Sequence, residues 1–220
     1  MKKLIIISVL SLILTSLQAQ STMDFGFNYG FNWNSLQDKK RFSALNFDFY
    51  FDFIPNYLKN NHWSYTSGIS LLQKRFFLKD VMTNQVINKD NSGINYLKIP
   101  LMVNYGIPLG ESSISLYLSG GVYGAFAFKA TSKFFDADGK KQKANLFKDD
   151  YKNVFNRYDA GLKFSISIEI PATKTGLSFD YEYGLIDIIK NDQGKKLNHN
   201  TIFLTMKVIG ISGKALELEL

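Results

Sequence analysis

Cysteine is absent from the 220 residues. Disulfide frameworks, thiolate zinc sites, cysteine nucleophiles and a lipid anchor on an N-terminal cysteine are thereby excluded. Histidine occurs only as His62 and His199, which leaves little room for a His-rich metal site. Proline is down to 4 residues. Low-complexity disorder is nevertheless excluded, because aromatic residues reach 15% and disordered chains lack the apolar residues for a core. Long apolar runs are missing after residue 20. Every later apolar stretch is broken within a few residues by Asn, Asp, Lys or Gly, so no transmembrane helix is expected there. Gly-rich phosphate loops and the Gly-x-Ser-x-Gly elbow are also missing. Gly120 and Gly121 fall inside a strand-like segment and are read as interior room or close packing.

The one long apolar run is at the start. Lys2 and Lys3 precede a run from Leu4 to Leu17, and Ala19 follows. Positive charge, apolar stretch and small residue are the order of a cleaved secretion signal. The run is short for a spanning helix, which needs about 20 residues. Residues 1–19 are read as a signal peptide, 20–211 as one domain and 212–220 as a C-terminal tail. Loss of Lys2 and Lys3 takes the formal charge from +7 to +5.

The remainder reads in period two. Phe25, Phe27, Tyr29, Phe31 and Trp33 alternate with Gly26, Asn28, Gly30, Asn32 and Asn34. In a strand these sets point to opposite faces. Leu45, Phe47, Phe49, Phe51 and Phe53 then alternate with Asn46, Asp48, Tyr50 and Asp52. Six further segments follow, near 63–72, 96–106, 114–128, 156–170, 176–183 and 201–209. The sixth of the eight sets Leu162, Phe164, Ile166 and Ile168 against Arg157, Asp159, Lys163 and Glu169.

Eight amphipathic strands have two solutions. A soluble sandwich or lipocalin-like barrel turns the apolar face inward. A membrane barrel turns it outward and fills its interior with polar groups. Three observations favour the second. The polar face is rich in Gly, Ser and Asn, with charges able to pair inside a small barrel. Asp48, Asp52, Asp159, Glu169, Asp180 and Glu182 are expected to meet Lys98, Arg157, Lys163 and Lys207 in one buried network. The apolar face is too aromatic for a small core but suits a lipid-facing wall with interfacial rings. The connections alternate in length: those at 35–43, 74–95, 129–155 and 188–200 are long, those at 107–113 and 171–175 are short. Long outer loops and short periplasmic turns have this asymmetry. It puts Trp33 and Trp63 at opposite interfaces. The expected fold is an all-β, eight-stranded, antiparallel up-and-down transmembrane barrel.

The segment Tyr96-Leu97-Lys98-Ile99-Pro100-Leu101 resembles a strand motif of the PorT-like outer-membrane β-barrel family of the Bacteroidota. The signal ending Gln18-Ala19-Gln20 and the eight-strand layout are similar as well. The resemblance implies an outer-membrane barrel over the whole mature chain. It implies no single activity, because the namesake is tied to protein secretion and fold does not fix function. Pro100 sits awkwardly in a closed ladder and is placed at a bulge or near the outer rim. The usual aromatic finish is replaced by the run to Leu220.

No catalytic, cofactor-binding or metal residue is expected. His62 belongs to a turn and His199 to the outer rim, so they do not share a site. His199 with Asp187 or Asp192 imitates a protease constellation, but a solvated loop histidine is the plainer reading. Asp136, Asp138 and Gly139 begin like a calcium loop, yet Lys141 and Lys143 hold the later ligand positions. The loop at 129–155 carries seven Lys against four Asp, a surplus of +3 that suits a plain solvated loop or the attraction of anions such as lipopolysaccharide. Two function classes follow. The first is a non-enzymatic, monomeric barrel with a structural, adhesion or assembly role through its basic loops. Its partners are outer-membrane lipid, lipopolysaccharide and an envelope protein, and no nucleic acid is expected. The second is a transport or protein-secretion component, a narrow pore or accessory barrel.

Overall fold

The computed structural model describes residues 21–36, 39–55, 62–76, 88–110, 114–135, 139–148, 155–188 and 199–213. The secretion signal lies outside the described residues, as does the tail beyond residue 213. The strands are β1 (Ser21–Leu36), β2 (Lys39–Pro55), β3 (Trp63–Phe76), β4 (Asn88–Pro108), β5 (Ser115–Phe135), β6 (Lys141–Asn145), β7 (Tyr158–Ile170), β8 (Thr175–Gly184) and β9 (His199–Gly213). Eight of them form one antiparallel ring in the order β4-β3-β2-β1-β9-β8-β7-β5, closed by pairing of β4 with β5. Among the described strands the short β6 pairs only with β5, and it stands outside the ring as the return limb of a hairpin. No described helix is long and apolar enough to cross a membrane.

Burial is inverted relative to a water-soluble domain. Phe25, Phe27, Phe47, Phe49, Ile99, Leu101, Phe164, Ile166, Phe179 and Leu204 are exposed, while Asp48, Lys98, Asp159, Lys163, Asp180 and Glu182 are buried. The switch occurs between adjacent residues: Phe49 is 63% exposed and Asp48 5%. An apolar wall running round the barrel exceeds the few hundred Å² that a soluble monomer ordinarily exposes. On β4 the exposed apolar positions run from Leu97 to Tyr105, and on β5 from Leu118 to Phe128, with Phe135 exposed again at the strand end. That height matches the ~9–11 residues a tilted strand needs to cross a bilayer.

The strands continue beyond this band, which corrects several expected boundaries. β4 and β5 each have 21 residues, a length of about 70 Å at the usual rise per residue. The stretch 35–43, expected as a loop, is mostly strand: Leu36 pairs with Lys39, leaving residues 37–38 between them. β3 likewise reaches Phe76, β4 begins at Asn88 and β5 reaches Phe135. These extensions all lie at the end of the long connections. They are paired strand built from polar sequence, where the in–out hydropathy contrast fades. A bulge marks the change on β5: Asn95 faces Lys129 and Tyr96 faces Ala127, so Phe128 is the extra residue. Phe128 and Lys129 both point outward, and Ala130 and Ser132 take over the inner face.

Pro100 is neither at a bulge nor at the rim. It is buried in the middle of β4, in unbroken register with Tyr123 of β5. On its other side the β3 ladder lapses between the Ser67–Leu101 and Ser70–Lys98 pairs without a change of register. A ring nitrogen has no hydrogen to give. The Ser67 hydroxyl crosses the lapse and donates to the Pro100 carbonyl at 2.9 Å.

The apolar core sits at the long-loop end. Leu72 of β3, Ile94 and Tyr96 of β4, and Ala127 and Ala130 of β5 pack with Leu146, Phe147, Phe155 and Ile188 from the connections. Backbone bonds hold those connections down: Leu146 N–H to the Ala130 carbonyl at 3.0 Å, and Asn156 N–H to the Ile188 carbonyl at 2.8 Å.

Candidate functional site

Period two places a column of alternate residues from every strand inside the ring. Where the inward residues are Lys, Asp and Glu, low-dielectric burial requires pairing. The pairs fall into three tiers along the axis. In the outer tier Lys74 of β3 donates to Asp159 of β7 at 2.7 Å, and His199 of β9 lies 3.2 Å from the same carboxylate. In the middle tier Lys98 of β4 meets Glu182 of β8 at 2.5 Å, both side chains 1% exposed. Lys163 of β7 meets Asp180 at 3.0 Å and Glu182 at 3.9 Å. Ser165 and Ser178 both donate to Asp180. In the inner tier, nearest the short turns, Lys207 of β9 pairs with Glu169 of β7, and Thr66 donates to Asp52.

Aromatic rings face the ammonium groups. Lys98 Nζ is 4.7 Å from the centre of the Phe203 ring, and Lys163 Nζ 5.6 Å. Lys74 Nζ lies 5.4 Å from Tyr96 and 5.6 Å from Tyr123. Lys207 Nζ lies 5.2 Å from Tyr50. Such contacts add cation–π attraction to the ion pairs. Where one network was expected from the sequence, the ion pairs among the described residues fall into three groups.

Two expectations are corrected here. Arg157 is not in the lumen. It is exposed at the entry to β7, with its guanidinium 4.7 Å from the centre of the Phe147 ring. Its parity matches Asp159, but the strand begins at Tyr158 and the chain bends before it, although the Arg157 carbonyl still accepts from Ala127 N–H. His199 is not a solvated loop residue and does not engage Asp187. It opens β9, is buried and turns inward to Asp159. Gly184 makes that possible, since a Cβ there would lie 1.9 Å from the His199 ring. Asp192, Asp136 and Asp138 lie outside the described residues. Gly139 has φ +75° in the turn leading to β6, and Lys141 and Lys143 belong to that strand.

Lys74, Tyr96, Phe203 and the apolar plug carry weight that sequence reasoning did not assign. Lys74 shares the parity of Ser70 and Leu72, so a longer β3 would have revealed it. The plug residues carry no comparable signal, because they reach the barrel from connections.

The lumen is therefore obstructed twice, by the plug at the long-loop end and by the ion-pair tiers below it. At the short-turn end a cavity of about 270 Å³ opens, lined by Asp24, Asp52, Glu169, Lys207, Thr66 and Tyr117 among others. His62 borders it with φ 60°, at the opposite end from His199. Trp63 packs on Tyr105 there at 4.9 Å between ring centres. Trp33 is on the far part of β1, toward the long-loop end.

Residues 18–190 match the family described as outer membrane protein beta-barrel domain. No curated protein sequence matches the chain. Solved structures similar to it include the attachment invasion locus protein Ail of Yersinia pestis, with 14% identity, TM-score 0.44 and coverage of 86% of this chain and 99% of that one. Neisserial surface protein A has 10% identity, TM-score 0.42 and coverage of 84% and 96%. OprG of Pseudomonas aeruginosa, an outer membrane protein, has 14% identity, TM-score 0.37 and coverage of 89% and 97%.

Proposed function

The chain belongs to the outer membrane protein beta-barrel domain family, and from that premise we propose that it is a non-enzymatic, monomeric barrel working through a basic outer face. The observation that carries this reading is the β5–β6 hairpin. Lys129, Lys133, Lys141, Lys143 and Lys148 are exposed on or beside it, and Arg157 lies at the neighbouring entry to β7. Residues 129–148 contain six Lys against Asp136 and Asp138, a surplus of four positive charges. The hairpin rises from the part of β5 beyond the apolar band, where an anionic headgroup or glycan is within reach. The ligand class is a phosphate-bearing glycolipid, foremost the lipopolysaccharide of the same leaflet. Such contact anchors the barrel and leaves the outer face for adhesion or an envelope protein partner. The doubly obstructed lumen favours this over a pore. Secretion from a signal peptide cleaved after Ala19 is part of the same proposal.

The test is binding of purified barrel to lipopolysaccharide in detergent, with Lys129, Lys133, Lys141 and Lys143 all replaced by Glu. Each basic residue near an anionic surface contributes about 1 kcal/mol. Affinity is expected to fall more than a hundredfold, with a shallower salt dependence. Unchanged affinity in a folded variant refutes the reading.

A further inference from the structure

The cavity at the short-turn end carries a charge that its own residues do not balance. It measures about 270 Å³, close to the lower end of sites that take small organic molecules, roughly 300–1,000 Å³. Asp24, Asp52 and Glu169 line it against one ammonium group, that of Lys207. Lys207 is paired with Glu169, and no ion pair among the described residues reaches Asp24 or Asp52. Lys207 attracts Asp52 only through space, while Asp24 and Glu169 both repel it. Asp24 is registered directly opposite Asp52 across β1 and β2. Like charges so opposed destabilise a sheet. The Asp24 carboxylate is also short of partners, since its Oδ1 is buried without a hydrogen bond among the described residues.

The neutral groups of the wall are set the same way. Both N–H bonds of the Asn104 amide are spent, on Ser64 Oγ at 2.9 Å and on Thr66 Oγ1 at 2.7 Å. The Thr66 hydroxyl is spent in turn on Asp52. What Asn104, Thr66 and Asp52 have left to offer is oxygen lone pairs. A guest rich in N–H and positive charge meets acceptors there, and an anion meets repulsion. The acids do not converge on one point, for no three acidic or histidine side chains among the described residues are placed to share a metal ion. An extended organic cation matches such a spread better than a bare ion, because an ammonium or guanidinium group carries several N–H donors in different directions. Trp63 and Tyr117 border the same space, and ring faces attract cations of this kind. A proton on one of the acids would lower the charge but gives the other acceptors no donor.

We propose that the short-turn end of the lumen binds one small organic cation of the primary-amine or guanidine class, with Asp52 and Asp24 as its charged contacts and the wall of Ser64, Thr66 and Asn104 as its neutral acceptors. The Lys207–Glu169 pair stands between this cavity and the middle tier, so the guest enters and leaves by one end and is bound rather than conducted. The same chemistry arrives as a free amine or as the side chain of a lysine in a polypeptide. The site lies at the opposite end from the basic hairpin and has the opposite charge, so the two readings fail independently.

The probes are putrescine, its uncharged counterpart butanediol, and the lysine side chain as N-acetyl-lysinamide. Each is added to the purified barrel in non-ionic detergent at fixed pH and ionic strength. With Trp33→Phe in place, Trp63 is the sole tryptophan, and its emission reports occupancy. Equilibrium dialysis of radiolabelled putrescine counts the bound molecules directly. Putrescine is expected to bind saturably, one molecule per barrel, and butanediol not to compete. Asp52→Asn and Asp24→Asn are each expected to weaken binding about tenfold or more, because hydrogen bonds to charged groups are the strong ones. Asp24→Asn decides the matter if Asp52→Asn does not refold. Asp187→Asn makes the same change of net charge beside the plug, at the other end of the barrel, and is expected to leave the affinity as it was. Tighter binding of the lysine derivative than of putrescine supports the site with a polypeptide as the source, and the reverse order supports it with a free amine. No saturable binding, equal binding of butanediol, an affinity unmoved by the Asp24 and Asp52 substitutions, or an equal loss in Asp187→Asn overturns the site.

Discussion

Replacing Lys98 by Met tests whether the tiers hold the ring together. Lys98 and Glu182 are the most thoroughly buried of the pairs, at 1% exposure each, and they join β4 to β8, strands that share no ladder. At an effective dielectric of about 20, charges 2.5 Å apart attract by about 7 kcal/mol, and charges 3.9 Å apart by about 4 kcal/mol. Lys98→Met therefore strips Glu182 of roughly two-thirds of its compensation and leaves it to Lys163, which already serves Asp180. Breaking one side of a buried pair costs roughly 3–5 kcal/mol, because the partner stays buried and charged. Removing both sides, as Lys98→Met with Glu182→Leu, is expected to restore most of that loss, since the pair's mutual attraction had been offset by desolvation. The assay is urea unfolding of the barrel refolded in lipid vesicles, read by tryptophan emission and heat-dependent gel mobility. A loss below about 1 kcal/mol for Lys98→Met, or a double variant as unstable as the sum of the singles, refutes the argument.

Phe49→Cys and Asp48→Cys, each labelled with a fluorophore, are expected to respond oppositely to a lipid-confined quencher. The label replacing Phe49 should be quenched and the one replacing Asp48 not, and the converse would show the register wrong. Phe49→Arg is expected to cost about 2–4 kcal/mol in vesicle unfolding, the range for a cation at the midplane of a barrel wall. Gly184→Ala drives a methyl group into the His199 ring and is expected to cost about 1–3 kcal/mol, as overpacking does. His199→Ala should relieve that cost, and a double variant no better than Gly184→Ala would refute the packing argument. In planar bilayers the wild type is expected to show no steady conductance. The plug variant Leu146→Ser with Phe155→Ser is expected to behave alike, because the Lys98–Glu182 tier lies below; a stable open level from either counts against an obstructed lumen.

Which parts of this molecule were legible depends on whether hydropathy contrast survives at a position. Between Phe25 and Trp33, or Phe47 and Phe53, the two faces meet lipid and lumen, so neighbouring residues differ as sharply as Phe49 and Asp48. Strand identity, inside–outside sense and most lumen charges follow from that contrast. Beyond the bilayer both faces of a strand meet polar surroundings. The alternation at Lys39, Lys74 and Lys129 fades, and residues that are strand read as loop. Bulges add a second obstacle, since the extra residue at Phe128 shifts parity and moves Ala130 rather than Lys129 inward. The plug is a third case. Leu146, Phe155 and Ile188 meet only because separate connections return to one end of the ring, and no local period records such a meeting. Arg157 shows the limit of parity itself: the correct count gives a wrong position when the strand stops one residue short.

The lumen charges also bear on how this sequence selects a single ring. A one-residue slip of any strand would send that strand's inward polar residues to lipid and its outward apolar ones to the lumen, so the ladder is strongly specified locally. Pairwise ladders alone do not fix the stagger accumulated on closing eight strands. Three of the ion pairs supply what the ladders lack, because they join strands that are not neighbours. Lys74 on β3 reaches Asp159 on β7, Lys98 on β4 reaches Glu182 on β8, and Lys207 on β9 reaches Glu169 on β7. A ring closed with a different stagger would carry these partners past each other and strand charges in a medium where an unpaired one costs several kcal/mol. Apolar residues at the same positions would fill the space equally well but would tolerate sliding. The tiers thus contribute less to net stability than to the choice of one closure among several, and the double variant at Lys98 and Glu182 should therefore recover stability while loosening the uniqueness of the fold, seen as broadened amide resonances on β4 and β8.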